Sequence, residues 1–434
     1  VDGTGGTLKA TAGGSAINSG NEVEEGKTVA FVATPAAGYK VKEWKLGGNA
    51  VNGTNQSYAL AVTAAINVTV SFEPKKAFLT LAAGKNTVKV KAKTADGSAI
   101  KVEGCSVNEL ANEAETTLTV TDSERKLALI GDIIELDCSG EKTPGGNRPL
   151  IALDVSGLTA LQKLNCQFNF ITELDVQGLT ALQELYCRTN QIPELNVQGL
   201  TKLQKLYCQG NKLATLNASE CTALKELNCY SNRELSTLDV QGCATLQKLN
   251  CRNNKILELN VQGLTSLQEL ICHTNQLTAL NVQGLTALQE LDCRFNKLTA
   301  LDVSGLTALQ ELDCRTNQLK TLDVQGCTAL QNLDCSSNQL STLNVQGCTA
   351  LKELLCYYNK LNADAFIKIF NDLPTREASD GAKAILYVDR AGVTEENCTN
   401  FTTPESLKKA FENARDVKHW KMQKADHYGI PSDI

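Results

Sequence analysis

Between Leu136 and Asn359 the apolar residues fall into one short pattern that returns every 21 positions. In one unit Leu291 and Cys293 flank a polar Asp292, Asn296 and Leu298 follow, and Leu301 and Val303 flank Asp302 before Gly305, Leu306 and Leu309 lead into the next unit. Strict alternation predicts a short β-strand, with every second side chain turned inward. Each unit therefore holds two brief strands separated by turns, too little to bury a face alone. Laid side by side, such units bury one continuous core and touch only their neighbours, which predicts a solenoid of parallel strands. The period is marked by Asn169, Asn190, Asn211, Asn232, Asn254, Asn275, Asn296, Asn317, Asn338 and Asn359, and a single step of 22, between Asn232 and Asn254, places one inserted residue near Arg233-Glu234. An asparagine at the bend after a strand can bond the backbone of its own and the adjacent coil, satisfying groups that no strand ladder reaches.

The pattern differs on either side. Residues 1–75 alternate in Val29/Phe31/Ala33, Tyr39/Val41 and Val68/Val70/Phe72, with turn signals at Glu25-Gly26, Gly47-Gly48 and Asn52-Gly53, and predict a small all-β domain in which Trp44 and Tyr39 are core rather than a carbohydrate platform. Residues 76–131 are strand-rich, and as the first coil would otherwise expose leucines and an open edge, they are expected to cap the array. The array itself is expected over 132–361, as about eleven coils whose Gly-Leu-Thr-Ala-Leu stretch turns back in a tight 3₁₀-like loop. A 21-residue coil leaves no room for a full helix. Residues 362–434 break the period with an amphipathic helix over 363–373 ended by Pro374, a strand over 384–388, a helix over 404–414 and a last strand at 419–422, an α+β cap for the other end.

The spacing L-x-x-L-x-C-x-x-N-x-L resembles the leucine-rich repeat family, over roughly half the chain. The first domain, Gly26-x-x-Val29-x-Phe31-x-Ala33-x-Pro35-x-x-Gly38-Tyr39-x-Val41-x-x-Trp44 closing on Val70-Ser71-Phe72, is similar to the divergent B-repeat of internalin-type bacterial surface proteins. The segment Ile130-Gly-Asp-Ile-Ile134, and Phe370-Asn-Asp-Leu373-Pro374 with Trp420-Lys421, resemble the entry and the C-terminal cap of such arrays. These resemblances imply a mostly β protein with few helices, an extracytoplasmic place (secreted or at the outer surface, where a lipid anchor is one form of attachment), and recognition through the repeats. The chain opens on Val1, which is consistent with an upstream secretion signal lying outside this sequence.

Seventeen cysteines invite a disulfide or zinc reading, yet eleven of them, Cys138 to Cys356, occupy the second inward position of the first strand, and Cys221, Cys243, Cys327 and Cys348 stand where other coils have Leu. Cysteine here replaces leucine as a small core residue. Parallel strands about 4.8 Å apart hold neighbouring Cβ atoms slightly beyond disulfide reach, and no C-x-x-C pair is present, so reduced buried thiols and no metal are expected. A net charge of −6 and a pI near 5.4 oppose nucleic-acid binding. No run of 18 apolar residues predicts a membrane span. The histidines His273, His419 and His427 have no nucleophile or carboxylate constellation by spacing, and no nucleotide, zinc-protease or EF-hand motif occurs, so neither catalysis nor a cofactor is expected. Glu269, Glu290, Glu311 and Glu353 share one column and are expected to form a solvated face.

What varies between coils is the pair of outward positions around each strand cysteine, expected on the concave side. The reading gathers Phe168, Tyr186, Arg188, Tyr207 and Tyr230 into an aromatic patch, continued by Arg252, Ile271 and His273; Arg294 and Arg315 alternate with Asp292, Asp313 and Asp334, and Tyr357 closes the series. Tyrosine and arginine are favoured at interface hot spots. The expected function is a monomeric, non-catalytic surface protein that binds a protein or glycan through this face; the competing expectation is a spacer with no specific face.

Overall fold

A computed structural model of the chain describes residues 1, 3–36, 38–143, 145–390, 395–426 and 430–434; His427 lies outside them. Two compact units divide it, Val1–Leu182 and Gln183–Ile434. It is mostly β, and its repeats stack as a solenoid of parallel strands, as the periodicity requires.

The first unit opens with two antiparallel sheets. Gly6–Ala12, Ser15–Ile17, Thr28–Pro35 and Ser57–Ala61 form one; Tyr39–Leu46, Asn49–Val51 and Val68–Pro74 form the other. Ala33, Val41, Trp44, Val70 and Phe72 fill the space between them, with Phe31, Tyr39 and Tyr58 packed against these. Trp44 is fully buried, and its Nε1 donates to the Asn55 carbonyl at 2.6 Å, so the indole N–H has the partner that burial demands. Further along, the antiparallel strand Thr87–Thr94 covers the open edge of Ile133–Asp137, whose other edge pairs in parallel with Lys163–Asn165. The strand Lys76–Leu81 holds Leu150–Asp154 in the same manner.

In the second unit the parallel strands Glu184–Tyr186, Lys205–Tyr207, Glu226–Asn228, Lys248–Asn250, Glu269–Ile271, Glu290–Asp292, Glu311–Asp313, Asn332–Asp334 and Glu353–Leu355 lie in register, each central leucine opposite the next. Lys383–Val388 and Lys421–Ala425 extend the ladder in parallel, and Pro431–Asp433, not foreseen in the sequence, closes it antiparallel. The cysteine of each coil sits one residue past its strand and is fully buried. A buried leucine of this kind contributes about 1.5–3 kcal/mol, several times per coil. The return turns are successive i to i+3 bonds, such as Leu285 N to Val282 O at 3.2 Å and Leu288 N to Leu285 O at 2.9 Å. The second alternation departs from expectation. Within the described residues of the second unit it pairs as strands at Thr215–Asn217 with Thr237–Asp239 and at Thr321–Asp323 with Thr342–Asn344; elsewhere in that unit single bridges or turns replace it.

The asparagines tie coil to coil. Asn211 Nδ2 donates to the Cys208 carbonyl of its own coil at 2.9 Å and to the Cys187 carbonyl of the preceding coil at 3.0 Å, while its Oδ1 accepts from Ile192 N at 3.1 Å. Asn275, Asn296, Asn317, Asn338 and Asn359 repeat the arrangement. The inserted residue is absorbed locally, for Asn254 Oδ1 accepts from Asn232 N at 2.8 Å instead. Past the last repeat, Asn397 takes the same place: Oδ1 accepts from Leu361 N at 2.8 Å, and Nδ2 donates to the Cys356 and Leu386 carbonyls, each at 2.9 Å. Around it the cap packs helix Ala363–Asp372, capped by Asn362, against helix Glu405–Glu412, with Phe366, Phe370, Phe401 and Phe411 stacked between.

The residue before each ladder asparagine turns left-handed: Thr189, Ser231, Thr274, Phe295, Thr316, Ser337 and Tyr358 have φ between 52° and 56°, and Gly210 takes the same role without strain. A side chain with a branched Cβ pays about 1–2 kcal/mol there, and asparagine less. Thr316→Asn, imitating Asn253 in its own coil (φ 57°), is expected to raise stability by about 0.5–1 kcal/mol. A guanidinium chloride midpoint that stays put or falls would refute the strain argument.

Candidate functional site

Strand alternation turns the neighbours of each buried Leu185-type residue outward, giving the second unit three columns. The first, Glu184, Lys205, Glu226, Lys248, Glu269, alternates in sign. Lys205 lies 4.0 Å from Glu184 and 3.7 Å from Glu226, and Lys248 lies 3.0 Å from Glu269. From Glu269 the sign no longer alternates; burial and the flanking Glu269 and Glu311 raise the pKa of Glu290 above the usual carboxylate range. From Glu184 to Glu269 this column is self-paired, and such half-exposed pairs are worth little in stability.

The second and third columns hold the variable residues. Tyr186 and Tyr207 meet edge to face, ring centres 5.2 Å apart at 84°. Their hydroxyls donate to Glu184 Oε2 at 3.0 Å and Glu226 Oε2 at 2.5 Å. Burial, with the adjacent carboxylates, pushes both phenols up, Tyr207 to about 12. Tyr230 carries the Arg252 guanidinium 4.6 Å from its ring centre, a cation–π contact. Arg188 is close enough to Tyr207 to act on its phenol. These four coils bring Tyr186, Arg188, Tyr207, Tyr230 and Arg252 onto one stretch of face, all half-buried.

Ile271 and His273 follow, half-buried. Burial first, then the cations Arg294, Arg252 and Arg315, depress the imidazole pKa to about 4, so His273 is neutral at physiological pH. Beyond it the charges interlock. Arg294 Nη1 donates to Asp313 Oδ2 at 3.0 Å and Arg315 Nη1 to Asp334 Oδ2 at 3.2 Å, while each Nε stands 3.5–3.6 Å from the aspartate of its own coil. Burial and Asp313 push Asp292 up to about 6 in spite of Arg294. Tyr357 stacks edge-on with Tyr358 and packs against Ile385, Val388 and Ala425 of the cap.

Phe168 requires a correction. It lies in the first unit at the left-handed turn position (φ 57°), 9% exposed, with the Arg148 guanidinium 5.8 Å from its ring centre. It is not an outward strand residue like the tyrosines. Gln209 and Ser336, in columns expected to face out, are only 3% and 1% exposed. Among the described residues no cluster of three or more His, Cys, Asp or Glu could hold a metal, and His273 Nε2 stands 3.9 Å from Asp292, outside hydrogen-bond reach. No described helix is long and apolar enough to cross a membrane.

Residues 6–76 match the divergent InlB B-repeat domain, and residues 286–326 match two copies of the leucine-rich repeat. The chain therefore carries an InlB-type B-repeat domain ahead of leucine-rich repeats. Among solved structures it is similar to the functional domain of InlJ from Listeria monocytogenes, described as including a cysteine ladder, with 26% identity over 68% of this chain and 75% of that one and a TM-score of 0.42. It is also similar to YopM from Yersinia enterocolitica (30% identity, 47% of this chain, 43% of that one, TM-score 0.42) and to a leucine-rich repeat protein of Leptospira interrogans (29%, 51% and 61%, TM-score 0.46). The chain spans less than two thirds of these last two. No curated protein sequence matches it.

Proposed function

We propose that this is a non-catalytic bacterial binding protein, secreted or held at the outer surface, that recognises a partner protein through the outward columns of its repeat strands, with host adhesion as one use. One observation carries the reading. From coil to coil the return side repeats Val-Gln-Gly-Leu-Thr-Ala-Leu almost unchanged, whereas the positions beside the strand cysteine vary and gather tyrosine and arginine over four neighbouring coils. The B-repeat and leucine-rich repeat matches support the surface setting and the binding role.

The spacer reading draws on the other half of the face, where Asp292, Asp313 and Asp334 spend their charge on Arg294 and Arg315 and leave little for a partner. One variant separates the two. Replacing Tyr186, Tyr207 and Tyr230 together by serine should weaken saturable binding of labelled protein to host cells by tenfold or more, with an unchanged melting temperature. Full binding by that variant would favour the spacer.

A further inference from the structure

The central strands of the aromatic patch form a two-by-two block. Tyr207 pairs in register with Asn228, and two residues further on Gln209 stands beside Tyr230, whose carbonyl accepts from Gly210 N at 3.0 Å. Tyrosines occupy one diagonal and side-chain amides the other. Gln209 is 3% exposed, and both its Oε1 and Asn228 Oδ1 are buried with no hydrogen-bond donor. A buried acceptor left without a donor is costly, and native structures seldom tolerate two together without a reason. Elsewhere on this face most neighbours satisfy each other, Tyr186 with Glu184, Tyr207 with Glu226 and Arg294 Nη1 with Asp313; Arg294 Nε is likewise buried without a hydrogen bond, and there a carboxylate stands close by, Asp292 at 3.5 Å.

We infer that this block is a saccharide subsite, taking a neutral sugar ring whose hydroxyl or acetamido N–H groups donate to Gln209 Oε1 and Asn228 Oδ1 while its C–H face lies on Tyr207 and Tyr230. The inference rests on the reading of this face as the binding face. The charge around the block selects a neutral ligand. Arg188, Lys205 and Arg252 border it against cations, and Glu184 and Glu226 border it against anions. The floor selects a sugar over an apolar peptide side chain. A protein anchor fills an apolar pocket, whereas here the floor between the rings is amide, and only a ligand with one polar edge and one apolar face matches both diagonals. Both oxygens are closed to water in the free protein, so the sugar reaches them only as the side chains covering them shift, with Tyr207 and Tyr230 remaining as its platform.

The full chain is tested on immobilised chitotriose and N-acetyllactosamine, with heparin as a polyanion arm, beside the variants Gln209→Met and Asn228→Leu. Gln209→Met keeps the length of the side chain and removes the acceptor. The expected result is retention of a neutral oligosaccharide by the wild-type chain and at least a tenfold loss in either variant, with melting temperatures equal to or above that of the wild type. Three results would overturn the subsite: no neutral oligosaccharide bound, equal binding by Gln209→Met, or binding to heparin alone that disappears in salt. If host-cell binding falls in the triple tyrosine variant but persists in Gln209→Met, the subsite fails and the binding face stands; if the tyrosine variant also binds normally, the face itself is lost.

Discussion

Asn296→Ala is expected to destabilise the second unit by about 2–6 kcal/mol, more than its loss of side-chain volume would suggest. The amide of Asn296 donates to the Cys272 carbonyl of the preceding coil at 3.2 Å and the Cys293 carbonyl of its own at 3.0 Å, and its oxygen accepts from Leu277 N at 3.1 Å. Alanine removes all three links at once in a site 9% exposed: Leu277 N is left without an acceptor, at about 1–3 kcal/mol, while the Cys272 and Cys293 carbonyls keep one donor each, Asn275 and Asn317, and lose the other, at about 0.5–1.5 kcal/mol apiece. Since every coil rests on its neighbours, the loss should spread along the array. Guanidinium chloride unfolding gives the size of the effect, and amide exchange at Leu277 locates it. A loss below about 1 kcal/mol would mean that water replaces the asparagine, and the account of the ladder would be wrong.

The second large effect is chemical. Of the seventeen cysteines only Cys105 and Cys398 are partly exposed; the remaining fifteen are buried. Burial raises the pKa of fourteen of these, to about 12 at Cys187 and Cys251 and about 11 at Cys243 and Cys327, so the reactive thiolate is scarce as well as inaccessible. A native titration with an aromatic disulfide reagent should therefore find two quick thiols, and the other fifteen should react on the order of a thousandfold slower, through opening of the fold. Denaturant should release them together. Ten or more quick thiols in the native protein would contradict the inward placement of the column. The cysteines are also more than leucine substitutes. Cys221, Cys243 and Cys348 lie 3.1–3.4 Å from backbone carbonyls of the preceding coil, a weak S–H donation that leucine cannot make.

The array was legible in the sequence because its physics is periodic. A residue that must be buried once per coil leaves a mark every 21 positions, and Leu270, Cys272 and Asn275 recur for that reason. The parts that escaped are those without a period. Asn397 does the work of a ladder asparagine from a cap whose sequence shares nothing with a coil, and only its bonds to Leu361 and Cys356 reveal it. The strand Pro431–Asp433 is held by pairing with Lys421–Ala425 and not by its own alternation. Phe168 misled because an aromatic one position from the outward column looks like part of it, while the left-handed turn carries its ring elsewhere. The burial of Gln209 depends on its flanking coils, which no single repeat encodes. The tyrosines and arginines of the face were legible as columns; which of them pair and which oxygens are left over was not.

Each asparagine reaches back, never forward, so a coil is finished by the one that follows it. A chain that folds from its N-terminus onward would therefore keep a single incomplete coil, the youngest. Asn397 ends the series from the cap, 38 residues after Asn359 where a coil would take 21, and finishes the last repeat without opening another.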